Sequence, residues 1–170
     1  PKSDDCPSCS GMPVQVNIVN TFRSRGFAVL VMSPVEMRFK SQCWHQNDKL
    51  QVGVAMQYVR DATIDIFAST SSSLLQPPPM YAIGIENGGV FLGNFAETLG
   101  ITYKSKFSAA CWMNAGIWHM NMKASTFPAV VFLDLARNGD LCEHNNATIQ
   151  KLHNKGIAAT QFYSEPRPIK

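Results

Sequence analysis

Alternation of apolar and polar side chains with a period of two is the feature that most constrains this chain. Leu50, Val52, Val54, Met56 and Tyr58 interleave with Gln51, Gly53, Ala55 and Gln57. That spacing puts one apolar face on an extended segment, as in a half-buried antiparallel strand. Val35, Met37 and Phe39 alternate with Glu36, Arg38 and Lys40 in the same way. Gln46, Asn47 and Asp48 between the two segments are turn formers, so a hairpin is predicted. Val14, Val16 and Ile18 give a further strand, Gly26 a turn, and residues 27–32 an apolar run suited to a strand buried on both faces. Arg60 and Asp61 separate the 50–59 segment from another at 62–68.

Residues 69–79 read STSSSLLQPPP. Pro77, Pro78 and Pro79 lack backbone donors, so this stretch is expected to be a long surface crossover. The alternation then resumes with Tyr81, Ile83 and Ile85, the turn Glu86-Asn87-Gly88-Gly89, and Val90 and Leu92. Asn-Gly between apolar alternations signals a hairpin, because both residues tolerate positive φ. Asn138-Gly139, flanked by strand segments read at 130–136 and 140–143, repeats the signal. Residues 94–100 read as one helical turn, with Asn94 as cap, Glu97 at the capping-box position and Gly100 as terminator. Ile101, Tyr103, Ser105, Phe107, Ala109 and Cys111 form another alternating strand, and 117–123 follows a turn at Asn114-Ala115-Gly116. One true helix is predicted at about 146–155, capped by Asn145 or Asn146 and ended by Gly156, with a closing strand at 157–163.

These readings give about eleven strands and no strand–helix–strand rhythm. The expected class is all-β and mainly antiparallel: a β-sandwich of the jelly-roll kind with one short C-terminal helix, or failing that a flattened barrel. Residues 1–170 are expected to form one such domain, with a cysteine-containing arm at 1–13 and a tail at 164–170.

Of the 170 residues, 45% are hydrophobic and 16% charged, which excludes a disordered chain or a coiled coil. A net charge of +3, spread in pairs such as Arg38 and Lys40 or Lys104 and Lys106, argues against nucleic acid as partner. No apolar run reaches the roughly 18 residues of a membrane span. The first residues, PKSDDCPSCSG, are polar and do not read as a signal peptide.

The chemistry-bearing residues point several ways. Cys6 and Cys9, with Cys43, Cys111 and Cys142, are disulfide candidates, and the odd count leaves one thiol over. Cys6, Cys9, Cys142 and His144 are an alternative zinc set, with Cys43 and His45 able to replace the last pair. His119, Met120 and Met122 resemble soft-metal ligands but read better as core. Asp65 and Asp134 could face one another as a glycosidase-like carboxylate pair, but two solvent-facing strand carboxylates explain them far better. Asn146-Ala147-Thr148 is a glycosylation sequon. Trp44, Trp112 and Trp118 offer flat surfaces for a sugar or protein partner. Leu74, Leu75 and Met80, on the proline-stiffened arm, could dock with little loss of entropy.

The combined expectation is a non-enzymatic recognition module without a cofactor, secreted or displayed at a surface. It binds a protein or glycan through loops that include 69–80 and 86–89. The rival readings are a coat or assembly subunit that self-associates, a zinc-stabilised intracellular domain, and an enzyme whose site is assembled from distant strands.

Overall fold

A computed structural model describes residues 13–32, 34, 44, 48–70, 78–102, 107–118, 122–136 and 138–165. Their contacts divide the chain into two compact units, Pro1–Ser33 and Pro34–Lys170.

In the first unit, α1 spans Pro13–Ser24. Proline at the first position suits a helix start, where its missing N–H has no partner to lose. The helix replaces the strand expected around Val14, Val16 and Ile18. Gly26 turns the chain at φ +84°, and Phe27 packs edge-on against Phe22 with centroids 5.4 Å apart. The run that follows is not a strand among the described residues. Val29, Leu30 and Val31 are exposed rather than buried on two faces.

The second unit overturns the all-β reading. It contains α2 (Asp48–Thr70), β1 (Tyr81–Ile85), α3 (Asn87–Thr102), β2 (Ala109–Met113), β3 (Ala129–Leu135), α4 (Gly139–His153) and β4 (Ala159–Ser164). The four strands form one sheet in the order β1-β2-β3-β4, and every neighbouring pair is parallel. The described residues form neither a sandwich, a jelly roll nor a barrel; the unit is α/β.

Each correction has a local cause. The 50–59 alternation lies in α2, where Val52, Gly53 and Met56 turn inward while Leu50, Val54 and Tyr58 face solvent. Both Asn-Gly pairs begin helices instead of hairpins: Asn87 is the first residue of α3, and Asn138 is the cap residue of α4. In α3, Leu92, Phe95, Ala96 and Leu99 are buried at spacings of three and four, the pattern of a core-facing helix. Asn94 is inside that helix rather than capping it, and its amide donates to the Val90 carbonyl at 3.4 Å. Helix α4 begins seven residues before the expected 146–155 helix. It ends at His153, and the chain turns away at Gly156 (φ +71°), whose N–H reaches the His153 carbonyl at 2.9 Å.

Register sorts the strand residues onto two faces. Gly84, Trp112, Phe132 and Gln161 lie in one row, with Ala82, Ala110, Val130 and Ala159 in the row before it. Helices α3 and α4 and the β2–β3 connection cover this face. Its centre is Trp112, fully buried, with its ring stacked on Phe127 and tilted against Phe132, each at 6.1 Å. On the opposite face, Tyr81, Ile83, Leu135 and Phe162 remain exposed. Helix α2 packs against α3.

Candidate functional site

Every strand in a parallel sheet ends at the same side, and the loops after the strands gather there. Loops gathered on a rigid sheet edge are where binding residues concentrate. In this chain that edge is built from the turn 86–89, the connection starting at Asn114, and the start of α4 at Asn138–Asp140.

The first turn is held tightly. Gly84 lies directly beneath it: a Cβ at this position would meet the Gly88 carbonyl oxygen and the Gly89 Cα, each at 2.6 Å. A Cβ on Gly89 would collide with the Ala115 methyl and approach Trp112 Cδ1 at 3.4 Å. The first turn and the β2–β3 connection are therefore in contact. Glu86, at φ +50°, ends β1, and its carbonyl accepts from Gly89 and Val90, at 2.9 and 3.2 Å. Asn114, at φ +49°, ends β2 in the same way. These are the two non-glycine residues with positive φ among those described. Such a conformation is ordinary for Asn and uncommon for Glu.

Beneath the edge lies a buried polar cluster. Asp134, the penultimate residue of β3, is fully buried on the covered face. Its Oδ2 accepts from Asn145 Nδ2 at 2.8 Å and from Gln161 Nε2 at 2.6 Å. Asn145 Nδ2 also donates to the Ala115 carbonyl at 3.2 Å, which ties α4 to the β2–β3 connection. Gln161 Oε1 accepts from Tyr163 Oη at 3.0 Å, and Tyr163 Oη from Asn146 Nδ2 at 3.1 Å. Asp134 Oδ1, Asn145 Oδ1 and Trp112 Nε1 are buried with no hydrogen-bond partner. Each orphan costs about 1–3 kcal/mol of desolvation. Three of them beside one edge mark a region that is not optimised for stability.

Above the cluster, Trp118 is 47% exposed and stacks on His144 with centroids 3.6 Å apart. His144 Nε2 is 3.1 Å from the Ile117 carbonyl, so this nitrogen carries the proton that bridges them. Gly116 lies against both rings. Asn138 Nδ2 reaches Asn114 Oδ1 at 3.5 Å rather than capping α4. The first N–H groups of α4 thus receive no side-chain cap, and the positive end of its dipole faces the same edge.

The residues singled out from sequence fall in several places. Of the tryptophans, Trp118 belongs to this edge. Trp44 is half-buried, its ring stacks on Phe91 at 4.4 Å, and its backbone N–H donates to Asn87 Oδ1 at 2.9 Å, which braces the first turn. Trp112 is core and offers no surface. Met80 is half-buried, its carbonyl accepting from Ser108 at 2.7 Å. Leu74, Leu75, Cys6, Cys9, Cys43, His45, His119 and Met120 lie outside the described residues, and Met122 is buried.

Cys111 and Cys142 are free thiols, which corrects the expectation that they form disulfides. Burial, then the Asp134 carboxylate, pushes the Cys111 thiol up to about 11 and raises Cys142 in the same direction. Raised thiols are poor nucleophiles and poor thiolate ligands. Cys142 and His144 also diverge, since residues two apart on a helix point roughly 200° apart. The Cys142 sulfur faces the Leu135 carbonyl at 3.7 Å, while His144 faces Ile117. No cluster of three or more His, Cys, Asp or Glu suited to a metal occurs among the described residues. Asp65 is exposed on α2 and Asp134 buried on β3, so they do not form the carboxylate pair. Asn146 is exposed within α4.

Sequence reasoning missed Asp134 as the centre of a buried network, and Asn145 and Gln161 as its partners. The only available signal was a carboxylate inside the apolar segment 130–136. No protein-family model, curated protein or solved structure matches the chain.

Proposed function

We propose that unit Pro34–Lys170 is a recognition domain that binds a small hydroxylated ring, such as a sugar, at the carboxyl edge of its sheet. One juxtaposition carries the reading. Two non-glycine residues with positive φ, Glu86 and Asn114, follow adjacent strands at the carboxyl edge, and the connection after Asn114 is tied through Ala115 to a buried cluster with orphaned polar atoms. Strained backbone and unsatisfied polar groups gather at sites whose geometry serves something other than stability. The free face of Trp118 suits a sugar ring, and Asn114, Asn138 and Glu86 offer acceptors and donors to hydroxyls around it. Recognition rather than turnover is favoured because both described thiols are held protonated and His144 Nε2 is engaged by Ile117.

A fragment screen by ligand-observed NMR, followed by backbone shift mapping, tests this without knowing the natural ligand. Hydroxylated-ring fragments are expected to perturb 86–89, 114–118 and 138–140, and Trp118→Ala should remove their binding. If no fragment binds, or if the perturbations map to the exposed sheet face, the reading is wrong.

A further inference from the structure

We infer that Asn138 is a site of spontaneous modification: its side chain closes onto the Gly139 backbone nitrogen, loses ammonia, and leaves an aspartyl or isoaspartyl residue at the start of α4. The sequence holds two Asn-Gly pairs, Asn87-Gly88 and Asn138-Gly139. Glycine in second place has no side chain to crowd the attack, so sequence alone marks both pairs. The structure separates them.

The reaction balances with water alone. Base takes the proton of the Gly139 N–H, and the nitrogen attacks Asn138 Cγ. The new C–N bond closes a five-membered imide, the Cγ–Nδ2 bond breaks, and ammonia leaves with the proton. Water then opens the ring. Opening at Cγ gives an aspartyl residue, and opening at the main-chain carbonyl carbon gives an isoaspartyl one. Nothing is oxidised or reduced.

Both glycine nitrogens lie in the first turn of a helix. N–H groups there have no intrahelical acceptor, and the dipole favours the negative charge that builds up during attack. What differs is the freedom of the asparagine. Asn138 precedes α4 with φ −98° and ψ 70°, outside the helical region, and caps no N–H. Its Nδ2, the leaving group, reaches Asn114 Oδ1 at 3.5 Å, a long contact. A Cβ at Gly139 would meet nothing within 4 Å among the described residues, so the imide has room. Asn87 lies inside α3, and the Trp44 backbone N–H holds its Oδ1 at 2.9 Å. Trp44 Nε1 covers Gly88, 3.5 Å from where its Cβ would be, and the Gly88 carbonyl is packed against Gly84. The Glu86 carbonyl clamps the same turn through the Gly89 and Val90 N–H groups. Rotating the 87–88 link into an imide would break these contacts together. At Asn138 the product loses the donor to Asn114 and gains a negative charge. An aspartyl carboxylate suits a helix start, whereas an isoaspartyl residue lengthens the main chain there and displaces α4.

Peptide mapping by mass spectrometry, after the folded 170-residue chain is held in warm, mildly alkaline buffer, tests this. The peptide containing Asn138 is expected to gain one mass unit and split into two chromatographic forms, at least tenfold faster than the peptide containing Asn87. In denaturant the two pairs should react at similar rates, which assigns the difference to the fold. Gly139→Ala should slow the reaction at Asn138 tenfold or more. Asn138→Asp should melt no lower than wild type, while the isoaspartyl fraction melts lower. An Asn138 that stays intact in the folded chain while it reacts in denaturant overturns the inference. So does an Asn87 that reacts as fast as Asn138 in the folded chain. The reaction needs no ligand, so its outcome leaves the recognition reading to its own test.

Discussion

Gly84→Ala separates the parallel architecture from a hairpin by the sign of its effect. If 81–85 led into a β-hairpin, Gly84 would sit inside a strand with open space above one face. Alanine would then be favourable by roughly 0.5–1 kcal/mol, because it has less backbone freedom to lose on folding. In the fold described, the Cβ enters the start of α3, within 2.6 Å of the Gly88 oxygen and the Gly89 Cα and 2.8 Å of the Gly89 nitrogen. Ordinary contact begins near 3.4 Å, and all three atoms are backbone, so the first turn of the helix must shift as a unit. Overpacking of this kind costs about 1–3 kcal/mol. Set against the intrinsic gain, a net loss of about 1–2 kcal/mol is expected. With a urea m-value of about 2 kcal/mol/M, the midpoint should fall by about 0.5–1 M. Gly89→Ala should also destabilise, but its collision is with the Ala115 methyl. Adding Ala115→Gly should therefore recover part of the loss, a coupling that independent sites do not show. A Gly84→Ala protein with an unchanged or raised midpoint would refute the packing of the 86–89 turn on β1, and with it the shape of the proposed site.

Two other perturbations address the interior. Asp134→Ala strips the acceptor from the Asn145 and Gln161 side-chain amides, so a loss of about 2–5 kcal/mol is expected in urea unfolding; a change below about 1 kcal/mol would show that the cluster does not hold β3, β4 and α4 together. The Cys111 thiol is raised to about 11, so its protonated form stabilises the fold fully below the ordinary value of 9.0, and that contribution is lost as pH climbs through about 11. Cys111→Ala should flatten the fall of melting temperature across this alkaline window, and an unaltered slope would show that Cys111 is not its source.

How much of this was legible in the sequence depended on which physical signal each segment carried. Strands β1, β3 and β4 were found within two residues, because Tyr81–Ile85, Ala129–Leu135 and Ala159–Ser164 are short apolar-rich pieces bounded by turn formers. Their direction was not legible. Asn-Gly reports only that the backbone can reach positive φ or cap a helix, and it does not say whether the chain beyond is extended or helical. Reading both pairs as hairpins made the neighbouring strands antiparallel, and together with the alternation read across 35–68 it gave the sandwich. Helix α2 misled for a different reason. With Leu50, Val54 and Tyr58 exposed and Val52 and Met56 turned inward, it has apolar residues on opposite sides, and such a helix projects onto the sequence as a period-two pattern.

The candidate site was hidden by the same ambiguity in its polar form. The buried stripe of α4 runs Cys142, Asn145, Thr148, Ile149 and Leu152, so two of its five core positions are polar. A rule that looks for apolar periodicity breaks at Asn145 and starts the helix there, with Asn145 or Asn146 cast as the cap. Short amides do favour caps, because they can satisfy free backbone N–H groups there. Asn145 is instead spent on Asp134 Oδ2 and the Ala115 carbonyl, partners 11 and 30 residues away that exist only once the sheet has formed. The residues that blurred the helix are the ones that join α4, β3 and the β2–β3 connection at the carboxyl edge. A polar residue that interrupts an otherwise apolar stripe is therefore better treated as the inward end of a tertiary hydrogen bond than as a boundary, and in this chain that reading leads from Asn145 to Asp134 and Gln161.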